Sequence, residues 1–378
     1  MEKEDKMQIA ILTFFWSNDN YGQLLQCYAL QNYLKNKGHE VFVVNYDYRN
    51  DINKTPFYKR CLKALNPIKI VKYLKYKKHS ADVLAEQKKN DRQFDLFRDK
   101  YLSFSYLEYN TIFELKENPP NADMYVVGSD QVWNFLLWDF NQAKNIIHAY
   151  MLDFGNKKTK RISYAASWGV SQIPENLKKE IIPLLKEFDY ISVREQNGVE
   201  LCKNCERFDA EWVCDPTLLL DSGNYRNIYN DNTIRKPQRK YILLYMLSNT
   251  CDFDIQTVYD YAKEKNLDVI YITGNGVIDN REKYFATIPE WLYLVDNSEY
   301  VITNSFHCSV FSAIFHKQFG IVYLSGKDKG MNGRFDSLFA ALHIEKRYIS
   351  NTDFTSLDKT YEIKEPQASE KFLEMVKG

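Results

Sequence analysis

Two series of short apolar runs alternating with helical stretches, separated by one turn-rich break, constrain this chain more than any other feature. Residues 8–15 are apolar, with β-branched and aromatic side chains; a polar turn follows at 17–22, then a helical pattern over 23–37 that stops at Gly38. Leu24, Leu25, Tyr28 and Leu34 recur at spacings of three and four, which places one apolar stripe on that helix. With a strand predicted at 41–46 this makes a βαβ unit. Strands at 124–127, 162–165, 190–193 and 212–214 continue the series, with helices at 176–187 and 195–203. Gly, Pro, Asn and Asp cluster over 216–232, and a second series begins: strands at 241–246, 268–273, 300–303 and 318–323, helices at 253–265 and 307–316. At 378 residues the chain has room for both series to fold as separate cores. The pattern predicts two parallel α/β, Rossmann-like domains facing across a cleft, residues 1–220 and 221–378, with a linker near 220–236 and the last helix free to return to the first domain.

Composition narrows the partners. Lys plus Arg and Asp plus Glu each number 50, so no net field draws in nucleic acid, and none is expected as a partner. The apolar runs at 9–16 and 241–247 are far short of the roughly 18 residues of a membrane span, and the charged start at 1–6 does not read as a secretory signal. A cytoplasmic location is the expectation. The seven cysteines are odd in number and scattered, which fits reduced thiols. Cys202, Cys205 and Cys214 are the nearest thing to a ligand pattern, and no fourth ligand lies at the right spacing, so no metal is expected.

In open α/β sheets ligands bind beyond the carboxyl ends of the strands. The segments there are Gly128-Ser129-Asp130-Gln131-Val132-Trp133-Asn134, Ala166-Ser167-Trp168-Gly169, Arg194-Glu195 and Asn304-Ser305-Phe306-His307. Together with Asn20-Tyr21-Gly22 and Leu25-Gln26-Cys27-Tyr28-Ala29-Leu30, then Tyr164-Ala165-Ala166-Ser167, Ser192-Val193-Arg194-Glu195, Asp215-Pro216-Thr217-Leu218, Thr303-Asn304-Ser305-Phe306-His307 and Asn332-x-Arg334, they give the chain its resemblance. Over roughly residues 8–345 it resembles the polysaccharide pyruvyl transferase family. It departs from the family pattern at Cys308, where a glycine usually follows the histidine.

The resemblance implies a GT-B-like fold and transfer of the pyruvyl group of phosphoenolpyruvate to a sugar, forming a pyruvate ketal during bacterial surface polysaccharide biosynthesis. No cofactor is implied beyond phosphoenolpyruvate as co-substrate. The implied acceptor is a lipid-linked glycan intermediate at the inner face of the cytoplasmic membrane. Such chemistry needs a proton donor for the enol carbon and cations for the phosphate and carboxylate. His307, at a strand end where a helix begins, suits the first need as general acid and base. Arg194 suits the second, as a bidentate grip on an anion, against the plain alternative of an ion pair with Glu195. Asn304 and Ser305, at the helix start, and Arg334, in a loop where arginine is often merely solvated, are the further donor-binding candidates. On the acceptor side Asn20, Tyr21 and Gly22 form the first strand-to-helix turn, with Tyr21 placed to stack on a sugar; Asp130 either accepts an acceptor hydroxyl or caps a helix. Asp215, before Pro216, reads as structural.

One segment lies apart from the motifs. Residues 54–78 hold nine basic side chains (Lys54, Lys59, Arg60, Lys63, Lys69, Lys72, Lys75, Lys77, Lys78) interleaved with apolar ones and no acidic one, a composition suited either to an anionic membrane surface or to a solvated face. The competing functions for the whole chain are a nucleotide-sugar glycosyltransferase of the same architecture and a non-catalytic sugar-binding protein.

Overall fold

A computed structural model describes residues 6–50 and 90–377, apart from positions 139, 250, 275, 276, 278 and 365. The basic segment 54–78 lies outside the described residues. The first sheet contains β1 (Gln8–Leu12), β2 (Glu40–Tyr46), β3 (Phe104–Tyr109), β4 (Met124–Val127), β5 (Lys160–Ala166), β6 (Tyr190–Val193) and β7 (Glu211–Trp212). The second contains β8 (Tyr241–Met246), β9 (Asp268–Thr273), β10 (Tyr300–Thr303), β11 (Gln318–Val322) and β12 (Tyr348–Ile349). The helices are α1 (Tyr21–Asn36), α2 (Phe94–Tyr101), α3 (Ile112–Glu117), α4 (Phe140–Tyr150), α5 (Glu175–Leu185), α6 (Gln196–Asn204), α7 (Ser222–Asn230), α8 (Gln256–Glu264), α9 (Ile288–Asp296), α10 (Phe306–Ile314), α11 (Gly333–Leu342) and α12 (Glu370–Met375).

Every strand pair is parallel, in the orders β3-β2-β1-β4-β5-β6-β7 and β12-β11-β10-β8-β9. Helices cover both faces of such sheets, so the central strands read as unbroken apolar runs: all of β4 and all of β8 are buried. Each sheet has one place where the direction of growth reverses, between β1 and β4 in the first and between β8 and β10 in the second. Crevices open at such points beyond the strand ends. The architecture is two Rossmann-like α/β domains, each a parallel sheet with helices on its faces.

Helix α1 departs from the single stripe expected of it. Twelve of its residues, Tyr21 to Gln31 without a break and Leu34, are buried, because one side lies on the first sheet and the other on the second domain. Its buried amide side chains are satisfied: Gln26 Nε2 donates to Thr13 Oγ1 at 3.1 Å, to Phe14 O at 3.0 Å and to Gln23 O at 2.8 Å. Tyr21 stacks on Trp291 of α9, centroids 5.1 Å apart and planes 8° apart, and donates its hydroxyl to Ala286 O at 2.8 Å. Tyr28 meets Tyr225, and Tyr225 meets Phe311 edge-on at 4.8 Å. One apolar core therefore runs from α1 into the second domain.

The predicted linker is not a linker throughout. Residues Ser222–Asn230 form α7, capped by Asp221, whose side chain accepts from Asn224 N, with Tyr225 and Ile228 buried one turn apart. The turn-forming Ser, Gly and Asn in this stretch belong to its capped start and exposed face. At the far end α12 packs on the first sheet, the Phe372 ring 4.4 Å from that of Tyr164. Among the described residues no helix is long and apolar enough to cross a membrane.

Candidate active site

Segments that follow four strands, β4, β6, β7 and β10, bring the site together. Arg194 follows β6 and is held through its backbone, its N–H on Ala166 O at 3.2 Å and its carbonyl accepting from Trp212 Nε1 at 3.1 Å. Asp215 follows β7 and caps the short turn Pro216–Leu219, its Oδ1 accepting from Thr217 N at 3.0 Å and Thr217 Oγ1 at 2.7 Å. Its other oxygen, Oδ2, accepts from Arg194 Nη1 at 2.8 Å and from Ser129 Oγ, in the loop after β4, at 2.9 Å. The second domain adds His307, whose Nε2 lies 3.4 Å from both Asp215 Oδ2 and Arg194 Nη1. The two residues predicted to carry the chemistry thus meet, and Asp215, read from sequence as structural, is the group on which they meet.

Burial alone would raise the Asp215 carboxyl, but the charges and hydrogen bonds of His307 and Arg194 outweigh it and hold it far below the usual carboxylate range. Burial likewise opposes the Arg194 charge, and Asp215, Glu195 and Asp130 overcome it, keeping the guanidinium above its ordinary value. Arg194 is 3% exposed, yet its Nη2 has no hydrogen-bond partner among the described residues, and its Nε stands 3.6 Å from Glu195 Oε1, beyond hydrogen-bond reach. Glu195 is itself occupied by Ser167 Oγ. A buried guanidinium with two donor atoms idle is costly unless a ligand takes them.

Arg334, expected in a loop, lies in the first turn of α11 and shares a wall with Arg194. The ring of Phe306 lies 4.6 Å from Arg194 Cζ and 5.9 Å from Arg334 Cζ, so one aromatic side chain faces both cations. Asn332 fixes the approach of Arg334: its amide bonds both the N–H and the carbonyl of Leu324, at 3.0 and 2.8 Å. Burial, then the charge of Arg194, push Arg334 down to about 10, still protonated at neutral pH.

The remaining predicted residues divide. Gly22 is a contact of His307: a Cβ there would stand 2.2 Å from the imidazole Cγ and Nδ1. Tyr21, expected to stack on a sugar, is fully buried between Trp291, Tyr245 and Phe94 and has no face to offer; it fastens the domains together. Asn20 Oδ1 is buried without a hydrogen-bond partner among the described residues. Asn304, expected to bind the donor, spends its side chain inside its own sheet, accepting from Leu247 N at 2.8 Å and donating to Ser248 O at 2.6 Å across the β8–β10 crevice. Ser305 caps α10, its hydroxyl accepting from Cys308 N. With the Cys308 amide taken by that cap, the first-turn amides of Phe306 and His307 remain for an anion there. Asp130 does not cap a helix; it turns the chain at φ 71°, its Oδ1 accepting from Gln131 N at 2.8 Å.

Cys308, the departure from the family pattern, lies in the core, its thiol pushed up to about 12 by burial. Cys202 and Cys205 belong to the core on one face of the first sheet, while Cys214 faces the Tyr164 hydroxyl at 3.8 Å. Among the described residues no three His, Cys, Asp or Glu side chains are grouped to hold a metal ion.

Among solved structures the chain is similar to UDP-GlcNAc 2-epimerase of Methanocaldococcus jannaschii (11% identity, TM-score 0.46, covering 98% of this chain and 99% of that one). It is also similar to the Neisseria meningitidis UDP-GlcNAc 2-epimerase (8% identity, TM-score 0.45, 93% and 89% covered) and to a glycosyltransferase of Streptomyces sp. SF2575 (10%, 0.33, 93% and 89%). No curated protein matches it. The family profile described as polysaccharide pyruvyl transferase matches residues 20–326, a span that holds His307, Arg194, Asp215, Ser129 and Gly22, and the chain belongs to that family.

Proposed function

We propose that the protein transfers the pyruvyl group of phosphoenolpyruvate to two hydroxyls of one sugar, releasing phosphate and leaving a cyclic ketal. The observation that carries this is the junction of His307 and Arg194, from opposite domains, on Asp215, with two donor atoms of Arg194 idle. Phosphoenolpyruvate carries a phosphate and a carboxylate, the anions that guanidinium groups grip best, and Arg194 and Arg334 stand on one wall to receive them.

In this reading His307 gives a proton to the terminal methylene carbon, and the adjacent carbon becomes an oxocarbenium-like centre. One sugar hydroxyl adds to that carbon and returns a proton to the imidazole. The bond to phosphate then breaks, a second hydroxyl adds to the same carbon, and its proton leaves with the phosphate. One acceptor proton ends on the new methyl group and the other on phosphate, so the reaction balances without a redox partner. Asp215, kept ionised, orients the imidazole for both proton transfers.

The test is to incubate the protein with phosphoenolpyruvate, and separately with UDP-sugars, in the presence of glycans. Phosphate released from the first, with a mass gain on the glycan of one pyruvic acid less one water, is the expected result. UDP released from the second without phosphate from the first points to the glycosyltransferase. His307→Ala should lower pyruvyl transfer by a factor of about 10² to 10⁴ while leaving the melting temperature within a few degrees; wild-type turnover removes His307 from the reaction.

A further inference from the structure

The constellation of Arg194, Asp215 and His307 can handle the donor, but it offers no surface for a sugar ring, and Tyr21 is spent in the core. An aromatic surface lies along the same carboxyl edge of the first sheet. Trp16 after β1, Tyr48 after β2 and Trp138 in the loop after β4 meet as three half-buried rings at the carboxyl ends of neighbouring strands. Tyr48 stands between the other two, its centroid 4.8 Å from Trp16 at 63° and 5.1 Å from Trp138 at 72°. Phe14 backs the corner from the core, 5.5 Å from Trp16 and 5.8 Å from Tyr48. Arg49, tied to Asp47 by bonds of 2.8 and 2.7 Å, lies over Trp16 at 5.2 Å. The rings pack on the core with one part and keep the rest of their surface in water, beside the β1–β4 crevice, the kind of place where open α/β sheets take ligands.

Asp130 joins the two places. It follows β4, it is a non-glycine residue at φ 71°, and its carbonyl, accepting from Ser167 N at 3.0 Å, ties its loop to the end of β5. The loop after β4 that carries Asp130 reaches both places: its Ser129 bonds Asp215 at 2.9 Å and its Trp138 meets Tyr48, and the Asp130 charge acts on Arg194 and Arg334 as well as on the Tyr48 hydroxyl.

We propose that Trp16, Tyr48 and Trp138 are the acceptor subsite, stacking on the C–H face of a pyranose ring whose reacting hydroxyls hydrogen-bond to Asp130. A pyranose has an apolar face and a polar rim, and an aromatic corner next to a carboxylate complements both. The chemistry of the step rests on the pyruvyl-transfer reading; the binding of the ring does not.

The experiment therefore reads binding without turnover. Saturation-transfer NMR on the full chain with methyl β-galactoside, methyl β-glucoside and methyl α-mannoside should show at least one of them bound, with transfer strongest at ring C–H protons. Trp138→Ala should weaken that binding by about tenfold and Trp138→Phe should restore most of it, while the thermal shift given by phosphoenolpyruvate stays unchanged in both. If Trp138→Ala lowers the melting temperature by itself, Tyr48→Leu carries the same expectation. Binding equal in wild type and both variants, binding of none of the three glycosides, or their displacement by uridine monophosphate overturns the proposal. Glycoside binding that is lost in Trp138→Ala, from a protein that never releases phosphate from phosphoenolpyruvate, overturns pyruvyl transfer and leaves the subsite standing.

Discussion

Gly22→Ala isolates the contact between the domains at the reacting group. Gly22 lies in α1 at an ordinary helical position, and at an open helical position alanine would stabilise by about 1 kcal/mol. Here the added Cβ would sit 2.2 Å from Cγ and Nδ1 of His307 and 2.3 Å from its Cβ, while ordinary contact begins at 3.4 Å, so something must move by about 1.2 Å, the difference between the two. Neither partner yields easily. The imidazole is bounded on its other side by Asp215 and Arg194 at 3.4 Å, and α10 and the first turn of α1 are buried. Overpacking of this kind costs about 1 to 3 kcal/mol, and a misplacement of about 1 Å at a reacting group costs on the order of 10²-fold in rate. We expect turnover, followed as phosphate released from phosphoenolpyruvate in the presence of acceptor, to fall by about 10²-fold, and the melting temperature to fall as well. The sign of the stability change is the sharper readout, because the helix term and the contact term oppose each other. Unchanged turnover together with a raised melting temperature refutes the placement of His307 against α1.

The other perturbations test single groups. Arg194→Lys should raise the KM for phosphoenolpyruvate or lower kcat, since an ammonium cannot copy a planar fork; unchanged kinetics return Arg194 to a structural role. Asp215→Asn leaves a buried guanidinium without its counter-charge, and thermal unfolding should report a loss of about 3 to 5 kcal/mol. The same carboxylate, depressed in the fold, stabilises above its unfolded value near 3.9 and loses that contribution only as pH falls through its lower folded value, so Asp215→Asn should differ most from wild type at neutral pH and converge with it in strong acid. His148 works in the opposite sense. The hydrogen bond to Asp153 at 2.6 Å, with help from Glu180 at 3.1 Å and against burial, raises its imidazole. Its stabilisation is full below about 6.5 and is lost as pH rises through the raised folded value. His148→Gln should flatten the melting-temperature profile above that point; an identical slope in the variant refutes the assignment.

Much of the fold was legible because parallel strands buried on both faces announce themselves as apolar runs. Residues 124–127, 190–193, 241–246, 268–273 and 300–303 coincide with β4, β6, β8, β9 and β10. Elements that depend on tertiary burial were not. The exposed, mixed sequence of β3 carries little alternation, and α7 hid behind Gly and Asn residues that serve as its capped start and wet face. Helix α9, by contrast, carried a readable signal that went unread: Thr287 and Glu290 form a capping box with Pro289 in the first turn. At the site, the strand-end positions of His307 and Arg194 were legible from the run of strands and from the motifs of the resemblance. Asp215 was not, because an Asp before Pro looks like a turn, and nothing local says that a guanidinium and an imidazole from distant segments converge on its free oxygen. Tyr21 misled for the same reason, since an aromatic next to a glycine turn looks like a sugar platform until the second domain covers it. The corner of Trp16, Tyr48 and Trp138 escaped because only the strand order brings residues so far apart to one edge.

The core that α1 shares with α9 and α10 sets a timetable for synthesis. Tyr21, Leu24, Leu25 and Tyr28 leave the ribosome early, but the surfaces that cover them, Trp291 and Phe311 among them, are made more than 250 residues later. Until then a first domain that has paired its sheet still shows a broad apolar helix face, the kind of surface that chaperones hold and that aggregates at high expression. A chain truncated before α9 should therefore be sticky even where its sheet is complete, and the Phe372 side chain, packing on Tyr164, closes the first domain only when the second has already been built.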